Sequence, residues 1–347
     1  MTSADPRMER LAELAQQAAP RTEAELNRRL ASIAEALGVP ERRARRLLGA
    51  AIVAQMLPSD TAVKGGIGVK IRVGETGTRA TRDLDVTAHD RRRAVEALTA
   101  HLERGWGEVP ASKSALKKDP NAGPRVAFFG SVAAQRQASP AGVPPQYVLQ
   151  PYTVRLCFLT PKTTMTSVLL EIGVDEFDGA AISPPDLVLS EQVAAAVAAL
   201  GCGAPGPVSI ISIEQQVAQK IHAVTDPAEN RGHDLVDIQV LWQEAAERPG
   251  GVDLPLLADL CRRTFAYRST SRTLARRPPH TWPPGIEHVL TLSSQYESAL
   301  DEVKAGLDEA PPGIAPDVEL AGQWLQGVMG LIEAAMPNGV STPPTTS

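Results

Sequence analysis

The sequence predicts an α+β fold: a mixed sheet with helices, flanked by helices on its N-terminal side and by a helical domain on its C-terminal side. Three observations carry this. Apolar residues recur at helical spacing through residues 5–57, short β-branched runs set among glycines follow between 63 and 174, and helical spacing returns from Ile213. A chain of 347 residues is long enough for two modest domains, and 43% hydrophobic content is ordinary for a globular protein. Aromatics make up only 4%, so the cores are expected to be built from Leu, Val, Ile and Ala.

Taken in order, Leu11, Leu14 and Ala15 open the first apolar stripe. Leu26, Leu30, Ile33 and Leu37 form the second, closed by Gly38-Val39-Pro40, and a third helix runs from Glu41 to Leu57 and stops before Pro58. Between Val63 and Val86 the chain is Gly-rich, with β-branched runs at Gly68–Val73 and Leu84–Val86. A helix is expected at Arg91–Glu103, and strands at Arg125–Phe129, Tyr147–Phe158 and Ser167–Val174. The connection Ser112–Pro145, rich in Pro, Gly, Ala and Ser, is expected to contain exposed loops. Further helices are expected at 186–202, Ile213–Val224, Asp234–Ala246, Leu254–Phe265, Ile286–Glu309 and Ala321–Ala335, with a linker at Gly201–Pro207. The division that follows is an N-terminal helical region (1–59), a sheet domain (60–185), a C-terminal helical domain (186–335) and a disordered Pro/Thr/Ser tail (336–347).

Composition excludes several classes. The three cysteines, Cys157, Cys202 and Cys261, are far apart and form no zinc-binding spacing, which fits a reducing cytoplasm without disulfides. The N-terminus reads as polar helix, without the charged-then-apolar pattern expected of a signal peptide, and no apolar stretch approaches the roughly 20 residues that span a bilayer. A soluble, cytoplasmic protein is expected. The net charge of −5 conceals two basic runs. One is Glu41-Arg42-Arg43-Ala44-Arg45-Arg46; the other comprises Arg262, Arg263, Arg268, Arg272, Arg276 and Arg277. The second would attract a phosphate backbone, or is simply a solvated face.

The chemistry concentrates in Asp83-Leu84-Asp85-Val86. In a strand, residues two apart share a side, so Asp83 and Asp85 project together while Leu84 and Val86 face a core. Adjacent carboxylates repel unless a cation lies between them, and oxygen donors suit Mg²⁺, whose shell also takes water and substrate phosphate. Upstream, Gly65-Gly66 lets the backbone approach a triphosphate closely. For a third carboxylate Glu171 and Asp175 compete. Glu171 is preferred because it stands between Leu170 and Ile172 on an expected central strand. Farther along, Lys220 falls within the apolar arc of Ile213, Val217, Ile221 and Val224, and either reaches a phosphate or snorkels past the core edge. Asp234 falls within the stripe of Leu235, Ile238, Leu241 and Trp242, with Asp237 at its flank; the alternative for Asp234 is a helix N-cap.

Lys64-Gly65-Gly66, then Arg79-x-Thr81-x-Asp83-Leu84-Asp85, resembles the KGG and R-x-Ser/Thr-x-D-hydrophobic-D arrangement of the AbiEii/AbiGii nucleotidyltransferase toxins, within the DNA polymerase β-like superfamily. A second block matches in order: Glu214, Lys220 and Ala223, then Arg231, Asp234 and Asp237. The resemblance implies a nucleotidyltransferase-fold sheet and transfer of NMP from an NTP, with Mg²⁺ on Asp83, Asp85 and Glu171. It implies nucleotide binding by Lys64, Gly65, Gly66, Arg79 and Thr81, and catalytic parts for Lys220 and Asp234. It further implies an RNA acceptor such as tRNA and a helix–turn–helix antitoxin as partner. Rival expectations are a small-molecule nucleotidyltransferase and a catalytically silent nucleotide-binding module.

Overall fold

The computed structural model describes residues 5–136, 150–176, 183–305, 307 and 311–336. The chain divides into two compact units: Met1–Ser212 with Ala299–Pro312, and Ile213–Ser298 with Gly313–Ser347.

The first unit opens with helices α1 (Pro6–Ala15), α2 (Glu23–Leu37) and α3 (Glu41–Ala54). Asp5 caps α1 by accepting from the Arg7 N–H. Thr22 and Glu25 form a reciprocal start to α2, Thr22 accepting from Glu25 N–H at 3.2 Å and Glu25 accepting from Arg21 N–H at 2.6 Å. The expected stripes are the buried ones: Leu11, Leu26, Leu30, Ile33, Leu37, Leu47, Leu48 and Ile52 lose essentially all solvent contact. At roughly 1.5–3 kcal/mol per fully buried aliphatic side chain, these stripes outweigh helix propensity in fixing the three helices.

After them come β1 (Thr61–Lys64), α4 (Gly65–Val73), β2 (Asp83–Ala88), α5 (Arg91–Arg104), β3 (Trp106–Val109) and α6 (Lys113–Lys118). Then follow β4 (Arg125–Ala134), β5 (Gln150–Phe158), β6 (Thr164–Val174), β7 (Asp186–Val188), α7 (Glu191–Ala198) and β8 (Val208–Ile210). Among the described residues the strands form one mixed sheet in the order β3-β4-β5-β6-β2-β1-β8-β7. β2 pairs parallel with β6 and β1 parallel with β8, while the remaining neighbours are antiparallel. Leu84, Val86, Leu170 and Ile172 point into the core, with α3 packed on β6 and α5 on β4.

Four expectations are corrected. Gly68–Val73, whose β-branched residues suggest strand, lies in helix α4; every residue from Gly66 to Arg72 is buried, so no solvent-facing period marks it as a helix. Within Ser112–Pro145, where exposed loops are expected around a strand at Arg125–Phe129, the structure adds α6 and lengthens that strand to the ten-residue β4. Residues 186–202 are not one helix: β7 pairs with β8 before Ser190 caps α7, and both strands join the sheet. The helix expected over Ile286–Glu309 is instead a 3₁₀ turn at Val289–Thr291 followed by α11 (Ser293–Lys304). Residues 137–149, part of the expected loop and of the Tyr147–Phe158 strand, lie outside the described residues, as does the tail expected after Met336.

The second unit is helical: α8 (Ile213–Thr225), α9 (Gly232–Ala246), α10 (Leu254–Leu274), the first half of α11, and α12 (Val318–Ala334). α8 packs on both α9 and α10. Among the described residues no helix is long and apolar enough to cross a membrane.

Candidate active site

Strand β2 alternates as its sequence requires. Leu84, Val86 and Ala88 are buried on one side, and Asp83, Asp85 and Thr87 are half-buried on the other. Register then decides what shares the acidic side. On one flank Asp85 pairs with Lys64 of β1; on the other it pairs with Glu171 of β6. Paired residues of neighbouring strands point to the same face about 4.8 Å apart, so Lys64, Asp85 and Glu171 form a row across the sheet. Asp175 follows the last residue of β6, its N–H donating to Ala88 O at 3.1 Å. It stands four residues, or about 13 Å, along the chain from Glu171, level with the far end of β2.

Lys64 is 9% exposed, yet among the described residues no hydrogen bond or ion pair involves its ammonium group. Immediately after it the chain turns sharply into α4. Gly65 has φ +66°, and a Cβ there would collide with Asp85 Oδ2. A Cβ on Gly66 would sit 2.8 Å from Thr81 Oγ1 and 3.2 Å from Arg79 Nη2. The two glycines therefore let a helix N-terminus, with its free N–H groups, lie directly against the acid and against the Arg79–Thr81 segment. The structure thus gathers Lys64, Gly65, Gly66, Arg79, Thr81, Asp83, Asp85 and Glu171 at one end of β1 and β2.

The segment carrying Arg79 and Thr81 is held by residues that sequence reasoning missed. Glu75 is fully buried and accepts from Lys70 Nζ at 2.8 Å and from Arg43 Nε. Lys70 also donates to Thr78 Oγ1 at 3.1 Å, and Arg43 donates to the carbonyls of Glu75 and Thr78. The Gln192 amide oxygen takes the N–H groups of Glu75 and Thr76, and Glu302 takes the N–H of Ala80 at 2.8 Å. The available signal was Lys70 inside an apolar run, five residues ahead of Glu75.

In the second unit, Lys220 Nζ on α8 lies 2.6 Å from Asp234 Oδ1 and 2.6 Å from Asp237 Oδ2 on α9. All three are buried, at 6%, 4% and 2% exposure. Asp234 lies within α9, whose N-cap position is Arg231, so the capping alternative for Asp234 is set aside. Lys220 does not snorkel to solvent either; it is closed in by two carboxylates.

The acidic row offers hard oxygen donors, the chemistry that Mg²⁺ prefers. Among the described residues no group of three or more His, Cys, Asp or Glu side chains is disposed to hold a metal ion. The donor set therefore fits a cation that takes one or two carboxylates and completes its shell with water and substrate phosphate, as Mg²⁺ does.

The family model described as nucleotidyl transferase AbiEii toxin, type IV toxin–antitoxin system, matches residues 46–321. No curated protein matches the chain. Among solved structures, MenT4, a nucleotidyltransferase toxin from Mycobacterium tuberculosis H37Rv, is similar at 15% identity and a TM-score of 0.46, over 92% of this chain and 100% of that one. With most of its length matched, including the strands and helices that carry both charged clusters, the chain belongs to the AbiEii family of nucleotidyltransferase toxins of type IV toxin–antitoxin systems, enzymes that act on an NTP and are paired with an antitoxin.

Proposed function

We propose that this chain is a magnesium-dependent, cytoplasmic enzyme that transfers NMP from an NTP to an RNA acceptor such as tRNA, releasing pyrophosphate. The observation that carries this reading is the row Lys64, Asp85 and Glu171 beside the Gly65-Gly66 turn. Among the described residues the nearly buried Lys64 ammonium group makes no ion pair, and a bound phosphate would offset the cost of its burial.

In this reading the N–H groups at the start of α4 cradle the triphosphate, and Lys64, Arg79 and Thr81 bind its oxygens. Asp83 and Asp85 would hold Mg²⁺, and Glu171 rather than Asp175, because it stands level with Asp85, would bear on the water in the cation's shell. The bound cation would supply charge stabilisation of the attacking and leaving oxygens at the α-phosphate. The Arg43–Lys70–Glu75 network keeps the Arg79–Thr81 segment in place against Gly66. For Lys220 the family pattern supports a part in phosphate neutralisation, while its closure by Asp234 and Asp237 supports an anchor between α8 and α9. RNA suits the exposed arginines Arg42, at the start of α3, and Arg82, directly before Asp83. A helix–turn–helix protein encoded beside this gene is the proposed antitoxin.

Incubating the purified chain with each labelled NTP, Mg²⁺ and total RNA tests the reading. Label is expected in a tRNA-sized fraction, with pyrophosphate formed and both lost on chelation. Label found only in small molecules would replace the RNA acceptor with a metabolite, and nucleotide binding without pyrophosphate release would remove the catalytic assignment.

A further inference from the structure

The basic run at the start of α3 is not one feature but two. Arg43 is committed inward to Glu75 and Thr78, and Arg45 bonds Glu41, Asn27 and the Met165 carbonyl. Arg42 and Arg46 remain. They are four residues apart on the helix and so lie on the same face, an arrangement of like charges that destabilises an isolated helix. Arg82, exposed and directly before Asp83, joins them. Arg43 ties the start of α3 to the carbonyls of Glu75 and Thr78, in the segment that leads to Arg82 and Asp83, and so brings Arg42 and Arg46 toward them; burial first, then Arg42 and Arg82 against the opposing pull of Asp83, lowers the Arg46 pKa. Among the described residues none of the three arginines makes an ion pair or a side-chain hydrogen bond.

Three unpaired guanidinium groups held together against their own repulsion, at the edge of an acidic centre, call for an external polyanion. The nucleotide's phosphates have other partners in the proposed site, namely Lys64, Arg79 and the start of α4. We infer that Arg42, Arg46 and Arg82 form an acceptor subsite that binds the phosphodiester backbone of RNA next to Asp83. Guanidinium pairs phosphate in a bidentate manner, and each neutralised phosphate releases counterions, so the subsite sets acceptor affinity and its salt dependence. It carries no base readout. The inference rests on the RNA reading above and identifies which surface delivers the acceptor.

The test measures binding of a labelled RNA hairpin and, separately, of a non-hydrolysable NTP to the full chain across a salt series. R42Q/R46Q is compared with wild type and with the charge-preserving R42K/R46K. Removing two phosphate contacts is expected to weaken hairpin binding about tenfold and to lower the slope of log affinity against log salt by about 1.5, with NTP affinity within about twofold of wild type. R42K/R46K is expected to keep the wild-type slope, which a general loss of fold would not allow. R82Q is expected to lower the slope by about 0.8. Hairpin binding and slope unchanged in R42Q/R46Q would overturn the inference while leaving the RNA reading standing. A loss confined to NTP binding would overturn it by assigning these arginines to the nucleotide. Wild type that binds no RNA but modifies a small acceptor would overturn both readings together.

Discussion

The two units keep their charged clusters in opposite ways. In the first, Asp83 and Asp85 stand half-buried on one side of a strand whose other side is core, beside the nearly buried Lys64, whose ammonium group makes no hydrogen bond or ion pair among the described residues. In the second, Lys220 is closed in by Asp234 and Asp237 and every member of the cluster is paired. An unfinished charge set is one that a ligand can complete. A finished and buried one is an anchor that holds α8 to α9, because removing a single partner leaves an uncompensated charge in the interior. The contrast predicts that substitutions in the first cluster cost chemistry and those in the second cost stability.

The largest expected effect is Asp85→Ala. Transfer should fall by about 10³-fold, several kcal/mol of transition-state charge stabilisation, while the thermal midpoint stays within a few degrees of wild type. Initial rates with labelled NTP beside a melting curve measure both. Full activity in a folded Asp85→Ala protein would take the acidic row out of the chemistry. Lys220→Met comes next and should do the reverse, lowering stability by about 3–5 kcal/mol in a denaturant titration. The triple change Lys220→Met, Asp234→Leu, Asp237→Leu sharpens the comparison, since replacing a buried ion cluster by apolar side chains often restores stability. A stable but inactive triple variant assigns this cluster a part in catalysis as well; a stable and active one leaves it purely structural.

Gly65→Ala is expected to fall between these extremes. The added Cβ meets the Asp85 carboxylate and φ is +66°, so either the turn or the acid must move. A displacement near 1 Å costs about 10²-fold in rate, with the stability loss confined to about 1–2 kcal/mol of backbone strain. Rate and stability falling in equal measure would show that the glycine serves the fold and not the site.

The acids, the glycine turn and the Lys220 cluster were legible because each breaks a local rule: paired carboxylates on a strand, or a lysine inside an apolar arc. Helix α4 was not legible, since a helix buried all round has no period to read. The short strands β7 and β8 escaped for another reason: three residues are too few to alternate, and only pairing with a distant partner defines them. Glu171 was favoured over Asp175 from flanking residues alone, but it took strand register, a long-range quantity, to set it beside Asp85. The basic runs needed the same long-range information: Asp259, just ahead of the second run, pairs with Arg262 and Arg263, and Asp226 takes Arg272, while Glu41 and Glu75 take Arg45 and Arg43 of the first, so part of each run is neutralised within the fold.

The smallest effect concerns protons and the sealed character of the second unit. His222 lies two residues from Lys220, is 4% exposed, and packs against Phe265 and His280 at ring distances of 4.8 and 5.0 Å. Among the described residues neither ring nitrogen has a hydrogen-bond partner. Burial first, then the charges of Arg268, His280 and Arg272 against the opposing pull of Asp226, push its pKa down to about 2. The folded chain therefore keeps this ring neutral, whereas the unfolded chain protonates it below about 6.5. Stability from this group is complete above that pH and drains away as pH falls toward 2, at no more than about 1.4 kcal/mol per unit. His222→Phe preserves the aromatic packing and removes the titration. Between pH 7 and 5.5 wild type should lose about 1 kcal/mol more than the variant in urea titrations followed by tryptophan fluorescence, for which Trp242, Trp282 and Trp324 all report from this unit. Parallel pH profiles for the two proteins would mean that water or a proton reaches the ring in the folded state. The interior beside Lys220 would then be open, as the acidic row of the first unit is.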